Sequence, residues 1–313
     1  MDLQQVFVRP TPTVAVVGMA TIDYLYVLDS HPAEDSENPV RQHEVVIGGP
    51  AGRGAIAAAR LGGEGVTLSA MCGTGVHADV LRRELKAEPL TTNLAVRHQE
   101  SQHSAVIVTA DRGTRTTIWT PQPRADEQFI DALPTVFDGA DAALLDCTDP
   151  ALSKAAIARC RELGVPVVID TGGYKQSSED LLAGVEFIVS PEKFFTGRHP
   201  GEPLERSMAK VHEDFQPKVL VATQAARGGV YLDETGTHRY RGFPVDTKDS
   251  CGAGDTFHGA LAWAVAAGAD TATALDIASW AAAQKCAVFG NGGIPNRAQL
   301  ERFLEESIGD STR

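Results

Sequence analysis

Apolar and polar positions along the chain switch between two periods, and the order of the switches predicts the fold. Residues 13–18, Thr-Val-Ala-Val-Val-Gly, form a short apolar run ending in glycine, the mark of a buried strand. Strand-like runs follow from Tyr24 to Val27 and over 40–47, parted only by a polar stretch at 31–38. No helix fits between them, so they are not successive strands of a parallel βαβ unit. The pattern predicts a small antiparallel sheet inserted after the first strand. Residues 104–109 and 115–120, turned by Ala-Asp-Arg-Gly at 110–113, predict a further hairpin of that sheet. Such a sheet would form a lid, with one face toward a cleft and the other available to a second subunit.

Beyond the lid the period changes to 3.6. Gly48-Gly49-Pro50 ends a strand, and 51–61 is helical up to Gly62-Gly63. Strands are expected at 66–72, 142–145, 165–169, 187–189 and 218–222, with helices at 77–86, 150–163 and 204–215. That alternation predicts an α/β fold, a mostly parallel sheet covered by helices on both faces. A short hairpin at 230–232 and 238–240 precedes closing helices at 272–288 and 299–307. With no repeat and no linker, we expect one α/β domain over 1–313, its lid strands inserted at about 21–47 and 103–120.

Composition narrows the function classes. Hydrophobic residues make up 43% of the 313 and charged residues 22%, ordinary values for a globular enzyme. A net charge of −13 argues against a nucleic-acid or anionic-membrane surface. Cys72, Cys147, Cys160, Cys251 and Cys286 show no CxxC pair, which predicts reduced thiols and a cytoplasmic setting. The histidines show no HExxH or paired spacing, so no zinc site is expected. Residues 1–12 lack the basic end and apolar core of a signal peptide, and no apolar run reaches membrane-spanning length.

The chemistry concentrates in Asp-Ser-Cys-Gly-Ala-Gly-Asp-Thr-Phe at 249–257. Gly252, Ala253 and Gly254 feed a helical pattern of Phe257, Ala260, Leu261, Ala264 and Val265. A small-residue turn opening a helix gathers free backbone N–H groups at the positive end of the helix dipole, where phosphate binds. Asp255 in such a cradle reads either as a helix cap or as a base that takes a proton from an attacking hydroxyl. The stretch closely resembles the C-terminal signature of the ribokinase-like (PfkB) carbohydrate kinases, Asp-Thr-x-Gly-Ala-Gly-Asp-x-Phe. The resemblance implies a ribokinase-like three-layer sandwich and ATP- and Mg²⁺-dependent phosphorylation of a sugar-like alcohol. It makes Asp255 the base and the N–H groups of Gly252, Ala253 and Gly254 the anion hole.

Other stretches extend the resemblance. Gly48-Gly49-Pro50-Ala51-Gly52-Arg53-Gly54-Ala55, then Ala59-Arg60-Leu61-Gly62, is similar to the N-terminal signature of that family, and Asp23 corresponds to an Asp that grips sugar hydroxyls. Arg53 replaces the usual sugar-binding Asn; it reads either as an anchor for an anionic sugar or as a solvated helix residue. Residues 219–229 resemble the Thr-x-Gly-x-x-Gly nucleotide loop, keeping Thr223 and Gly228 but placing Ala225 at the first glycine. Glu192 stands near the place of a Glu that organises the Mg²⁺ water shell, and Lys193 beside it reads as a phosphate contact. Ala283 and Cys286 fall in the segment that walls the adenine, and Asp249 and Cys251 where relatives hold a monovalent cation such as K⁺. Arg115 and Lys175 read as surface residues or substrate contacts. The expectation is a sugar kinase nearest to fructokinase-like and sulfofructose-kinase-like members, acting on a ketohexose or a related sugar and pairing through its lid into a homodimer. The alternatives are a kinase for an anionic sugar that uses Arg53, and a catalytically silent sugar-binding protein on the same scaffold.

Overall fold

The computed structural model describes residues 7–9, 11–110 and 114–311; the expected hairpin turn at 111–113 and residues 1–6 lie outside them. The described strands are β1 (Val14–Gly18), β2 (Thr21–Leu28), β3 (Gln42–Gly48), β4 (Val66–Thr74), β5 (Thr91–Glu100), β6 (His103–Thr109) and β7 (Thr114–Trp119). They continue with β8 (Ala142–Asp146), β9 (Val167–Asp170), β10 (Phe187–Pro191), β11 (Val219–Thr223), β12 (Gly229–Asp233) and β13 (Gly236–Tyr240). Nine of them form one sheet in the order β13-β12-β11-β10-β9-β8-β1-β4-β5. From β11 to β5 every pairing is parallel, and β12 and β13 close the other edge as an antiparallel hairpin. Every residue of β1 is buried, as a strand covered on both faces requires.

Alternate residues of these strands feed two cores. Val14, Val16, Leu68, Leu144 and Val168 pack on one face with residues of the helices Pro50–Gly62, Ala253–Ala266 and Thr271–Cys286. Ala15, Val17, Leu145, Ile169 and Leu220 pack on the other with the helices Pro150–Leu163 and Leu204–Phe215. Period-two alternation thus converts one sheet into a three-layer sandwich. The two glycine-bearing signatures meet on the first face. A Cβ added at Gly259 would lie 2.1 Å from the carbonyl oxygen of Gly54, so the helices Pro50–Gly62 and Ala253–Ala266 touch backbone to backbone. That contact aligns the N-termini of both helices toward the same end of the sheet.

The smaller sheet runs β3-β2-β6-β7. It corrects the antiparallel expectation: β2 pairs with β3 and β6 with β7 antiparallel, but the central pair β2–β6 is parallel. Leu25, Val46, Val106, Val108 and Cys251 form a small core of their own, joining the sheet to the loop before the helix Ala253–Ala266. Strand β5 was not expected at all. Its side chains are mostly exposed, as befits an edge strand without alternating apolar residues.

Candidate active site

Parallel α/β sheets bind ligands beyond the carboxyl ends of their strands, where chain ends and helix N-termini converge. A cleft of about 400 Å³ opens there, between the ends of β9, β10 and β11 and the inner face of the small sheet. Asp23, Gly49, Arg53, Thr223, Gly252, Gly254 and Asp255 all line it. Residues 232 positions apart in the chain therefore share one cavity, Asp23 from the lid and Asp255 from the signature.

The signature loop is built as an N-terminus without a side-chain cap. Gly252 is the N-cap, at φ 81° and ψ 7°, a left-handed conformation that glycine adopts without steric cost. A Cβ there would also stand 2.5 Å from Arg53 Cδ. No side chain caps this helix, and among the described residues the Gly252 and Gly254 N–H groups have no acceptor. The Ala253 N–H has a long bond, 3.3 Å, to the Ser250 carbonyl. Gly254 is exposed, and nothing would meet a Cβ placed on it within 4 Å. The donors expected for an anion hole are therefore open at Gly252 and Gly254 and partly committed at Ala253.

Arg53 is neither of the two things its sequence context suggested. Its side chain is only 6% exposed, and its guanidinium bridges two carboxylates. Nη2 donates to Asp23 Oδ2 at 2.6 Å, Nη1 to Asp255 Oδ2 at 3.3 Å, and Nε to Asn291 Oδ1 at 3.4 Å. Burial alone would pull the Arg53 pKa down, but Cys251, Asp23 and Asp255 more than offset it and the net shift is upward. The charge is thus fixed and already balanced. Asp23 also accepts from Ser104 Oγ, and it sits within β2, on a lid strand. Gly48 is glycine because a Cβ would fall 2.3 Å from the Asp23 carboxylate. At Gly49, φ 82°, an added Cβ would stand 2.4 Å from the Met19 carbonyl oxygen.

The profile of the pfkB family carbohydrate kinases matches residues 11–297. The chain belongs to that family. It is a carbohydrate kinase of the ribokinase type, a phosphotransferase. It is 23% identical over 296 residues to the ribokinase of Bacillus subtilis (strain 168), covering 93% of this chain and 99% of that one. Against the ribokinase of Arabidopsis thaliana the identity is 25%, over 95% of this chain and 82% of the relative. Among solved structures, Arabidopsis thaliana ribokinase complexed with ribose and ATP superposes with a TM-score of 0.77 at 19% identity, covering 94% of this chain and 99% of that one. Thermotoga maritima ribokinase superposes with a TM-score of 0.80 at 20% identity, covering 94% and 99%. At such identities the superpositions speak for the fold.

The nucleotide side of the kinase departs further from expectation. Thr223 lines the cleft at the end of β11. Gly228 does not; a Cβ there would strike the Tyr240 carbonyl oxygen at 2.2 Å, so its glycine serves the packing of β12 against the loop after β13. Ala225 sits at φ 52°, a left-handed conformation that favours glycine. Ala283 and Cys286 are half-buried on the helix Thr271–Cys286 and lie outside the cleft lining. Glu192 accepts from Arg227 Nη2 at 2.7 Å and from Gln224 Nε2 at 3.0 Å, so each of its oxygens already has a partner. Asp249 is likewise spoken for. Its Oδ2 accepts from Lys285 Nζ at 2.7 Å and from the Gly290 N–H at 3.1 Å, while Oδ1 accepts from the Cys251 N–H at 2.8 Å. Where a bound monovalent cation was expected, the chain supplies its own ammonium, 1% exposed. Lys193 and Arg115 line the cleft, and Lys175 is exposed outside it.

Asp170, His258 and Gln102 are among the cleft residues that the sequence pattern does not single out. Asp170, at the end of β9, has its pKa raised first by burial and then by Asp255, against the pull of His258, the Gly172 N–H and Lys193. His258 faces it at 3.4 Å and turns its ring toward the Gly254 and Val189 carbonyls at 2.7 and 3.3 Å. Gln102 is 7% exposed and lines the cleft; its Oε1 is buried and, among the described residues, has no hydrogen-bond partner. The usable signal for Asp170 was its place at the carboxyl end of a parallel strand.

Proposed function

We propose that this kinase transfers the γ-phosphate of ATP to the hydroxymethyl oxygen of a neutral monosaccharide, a ketohexose such as fructose or a close relative. The observation that carries the reading is Asp255, 20% exposed, beside open N–H groups in a cleft that also holds Asp23 and Arg53. Asp23 accepts hydroxyl hydrogen bonds from the sugar, and Trp119, 64% exposed on the lid edge, covers its apolar face. Asp255 takes the proton of the attacking hydroxyl. The Gly252 and Gly254 N–H groups meet the charge that grows on the phosphoryl oxygens, and Lys193 adds a point charge.

The donor set also suits Mg²⁺. Asp170 and Asp255 offer hard oxygens in one cleft, and a buried carboxylate whose pKa is pushed up is stabilised by a nearby cation. These two, rather than Glu192, would hold the ion through its waters; when bound, it neutralises phosphate charge. No activating K⁺ is needed, because Lys285 fills the electrostatic role at Asp249. Arg53 has no spare charge for a sugar phosphate, so the anionic-sugar alternative loses its anchor. A second copy would pair along β7, exposed over its whole length, to give the homodimer.

The test is ADP release over a panel of fructose, ribose, fructose 6-phosphate and a nucleoside. The account expects a neutral sugar to exceed the sugar phosphate in kcat/KM by at least about tenfold. A preference for the phosphorylated sugar would overturn it.

A further inference from the structure

The lid has a second cluster of chemistry on the face turned away from Asp23. Tyr24 of β2, His77 in the first turn of the helix Val76–Lys86, Glu100 at the end of β5 and His103 at the start of β6 meet there. The imidazoles of His77 and His103 stack with ring centroids 3.7 Å apart and planes 18° from parallel. His77 Nδ1 is engaged by Tyr24 Oη at 2.9 Å, and His103 Nδ1 faces the Ser101 carbonyl at 3.4 Å and Thr120 Oγ1 at 3.3 Å. Both rings thus have their inner nitrogens occupied and their Nε2 atoms left over. His77 Nε2 lies 3.5 Å from Glu100 Oε1, and one ligand atom from each of His77, Glu100 and His103 falls within 4.8 Å of the others.

We propose that His77, Glu100 and His103 form a binding site for a divalent transition-metal ion of the zinc class. Two imidazole nitrogens and one carboxylate oxygen are a donor set that zinc takes with a water in the fourth position, at about 2.0–2.2 Å from each ligand. Mg²⁺ and Ca²⁺ prefer all-oxygen shells, so the ion that serves phosphate in the cleft would not compete here. A partner on Nδ1 fixes the tautomer that leaves Nε2 free to ligate; because the two rings are stacked, one of them turns on binding so that both lone pairs meet the ion. His77 and His103 are half-buried and Glu100 is exposed, which leaves an entry path from solvent.

The location gives the site a consequence. Tyr24 neighbours Asp23, and His103 neighbours Ser104, which donates to Asp23. Asp23 and Ser104 are register partners on one face of the β2–β6 pair, while Tyr24 and His103 occupy the other. An ion held by residues of β5, β6 and the helix Val76–Lys86 would therefore tie the root of the lid to the large sheet, directly behind the hydroxyl-binding carboxylate. HExxH-type spacing could not reveal it, because the three ligands come from three elements. The inference stands apart from the proposed substrate, since metal binding can be read without any sugar.

The full-length chain, freed of metal with a chelator and exchanged into chelator-free buffer, is titrated with Zn²⁺ by calorimetry and with Co²⁺ by visible absorption. One equivalent per chain is expected for both, with the absorption of a low-coordinate cobalt site. Glu100→Gln alters an exposed side chain and His103→Gln a half-buried one; each should abolish the stoichiometric phase, with folding checked by circular dichroism. Tyr24→Phe should weaken binding by about tenfold. Absence of a one-equivalent phase in the unaltered chain, or its persistence in folded Glu100→Gln and His103→Gln proteins, would overturn the site.

Discussion

The two ends of the cleft are made differently. At the sugar end the side chains hold one another: Arg53 ties Asp23 to Asp255, Ser104 braces Asp23, and Gly48 and Gly252 are kept small by those same groups. At the nucleotide end, Glu192 is bound by Arg227 and Gln224, Gly228 serves packing, and Ala283 and Cys286 stand aside. What remains there is mostly backbone, at Gly252, Gly254 and the end of β11. An alcohol must be selected and deprotonated by particular side chains, whereas phosphate can be held by N–H groups that any sequence supplies. The family pattern is therefore tight around the residues proposed for acid–base work and loose around those proposed to hold nucleotide.

Several substitutions would break or sharpen that contrast. Arg53→Met should have the largest effect on stability. It leaves two carboxylates in a closed space without their cation, and removing one member of a buried ion pair costs about 3–5 kcal/mol. Urea denaturation measures it; a loss below about 1 kcal/mol would mean the triad is not a structural clasp. Asp170→Asn should lower turnover on the order of 10²-fold while raising stability at neutral pH. The sign follows from its raised pKa. The folded state holds the Asp170 proton more tightly than the unfolded chain, so stability falls as pH rises from the ordinary carboxylate range through the raised value. The Asn variant should lack that fall, which thermal melts across acidic to neutral pH would reveal. Ala225→Gly should gain about 0.5–1 kcal/mol, because a left-handed alanine becomes a glycine at φ 52°. Smallest of all is the response to salt identity: turnover should change less than about twofold when K⁺ is replaced by Na⁺ or choline at constant ionic strength, since the Lys285 ammonium is covalently part of the chain.

Much of this was legible in the pattern of residues, for physical reasons. The fully apolar run of β1 and the alternation of β2 and β6 each carry their period within a few residues. Strand β5, Thr-Thr-Asn-Leu-Ala-Val-Arg-His-Gln-Glu, has no buried stripe to announce it, because the sheet edge it forms needs none. The parallel pairing of β2 with β6 joins residues 81 apart, as Asp23 with Ser104, and strand direction over such a span leaves no local trace. In the site, Asp255 and Gly252 were readable because a helix N-terminus is encoded by contiguous residues. The fate of Arg53 was not, because its partners Asp23, Asp255 and Asn291 lie 30, 202 and 238 residues away. Lys285 was hidden for the same reason; nothing near it in the chain marks it as the counter-ion of Asp249, 36 residues before it. Asp170 was hidden by its own turn, since Asp-Thr-Gly-Gly reads as a loop unless the strand before it is known to be parallel and central.

The most direct measurement is single-turnover phosphate transfer by the Asp255→Asn protein, with ATP and sugar binding followed separately. The account predicts that both ligands bind within a few-fold of the unaltered kinase while transfer falls by about 10²-fold or more. Transfer at an undiminished rate with both ligands bound would show that the proton leaves by another route and that Asp255 only caps its helix.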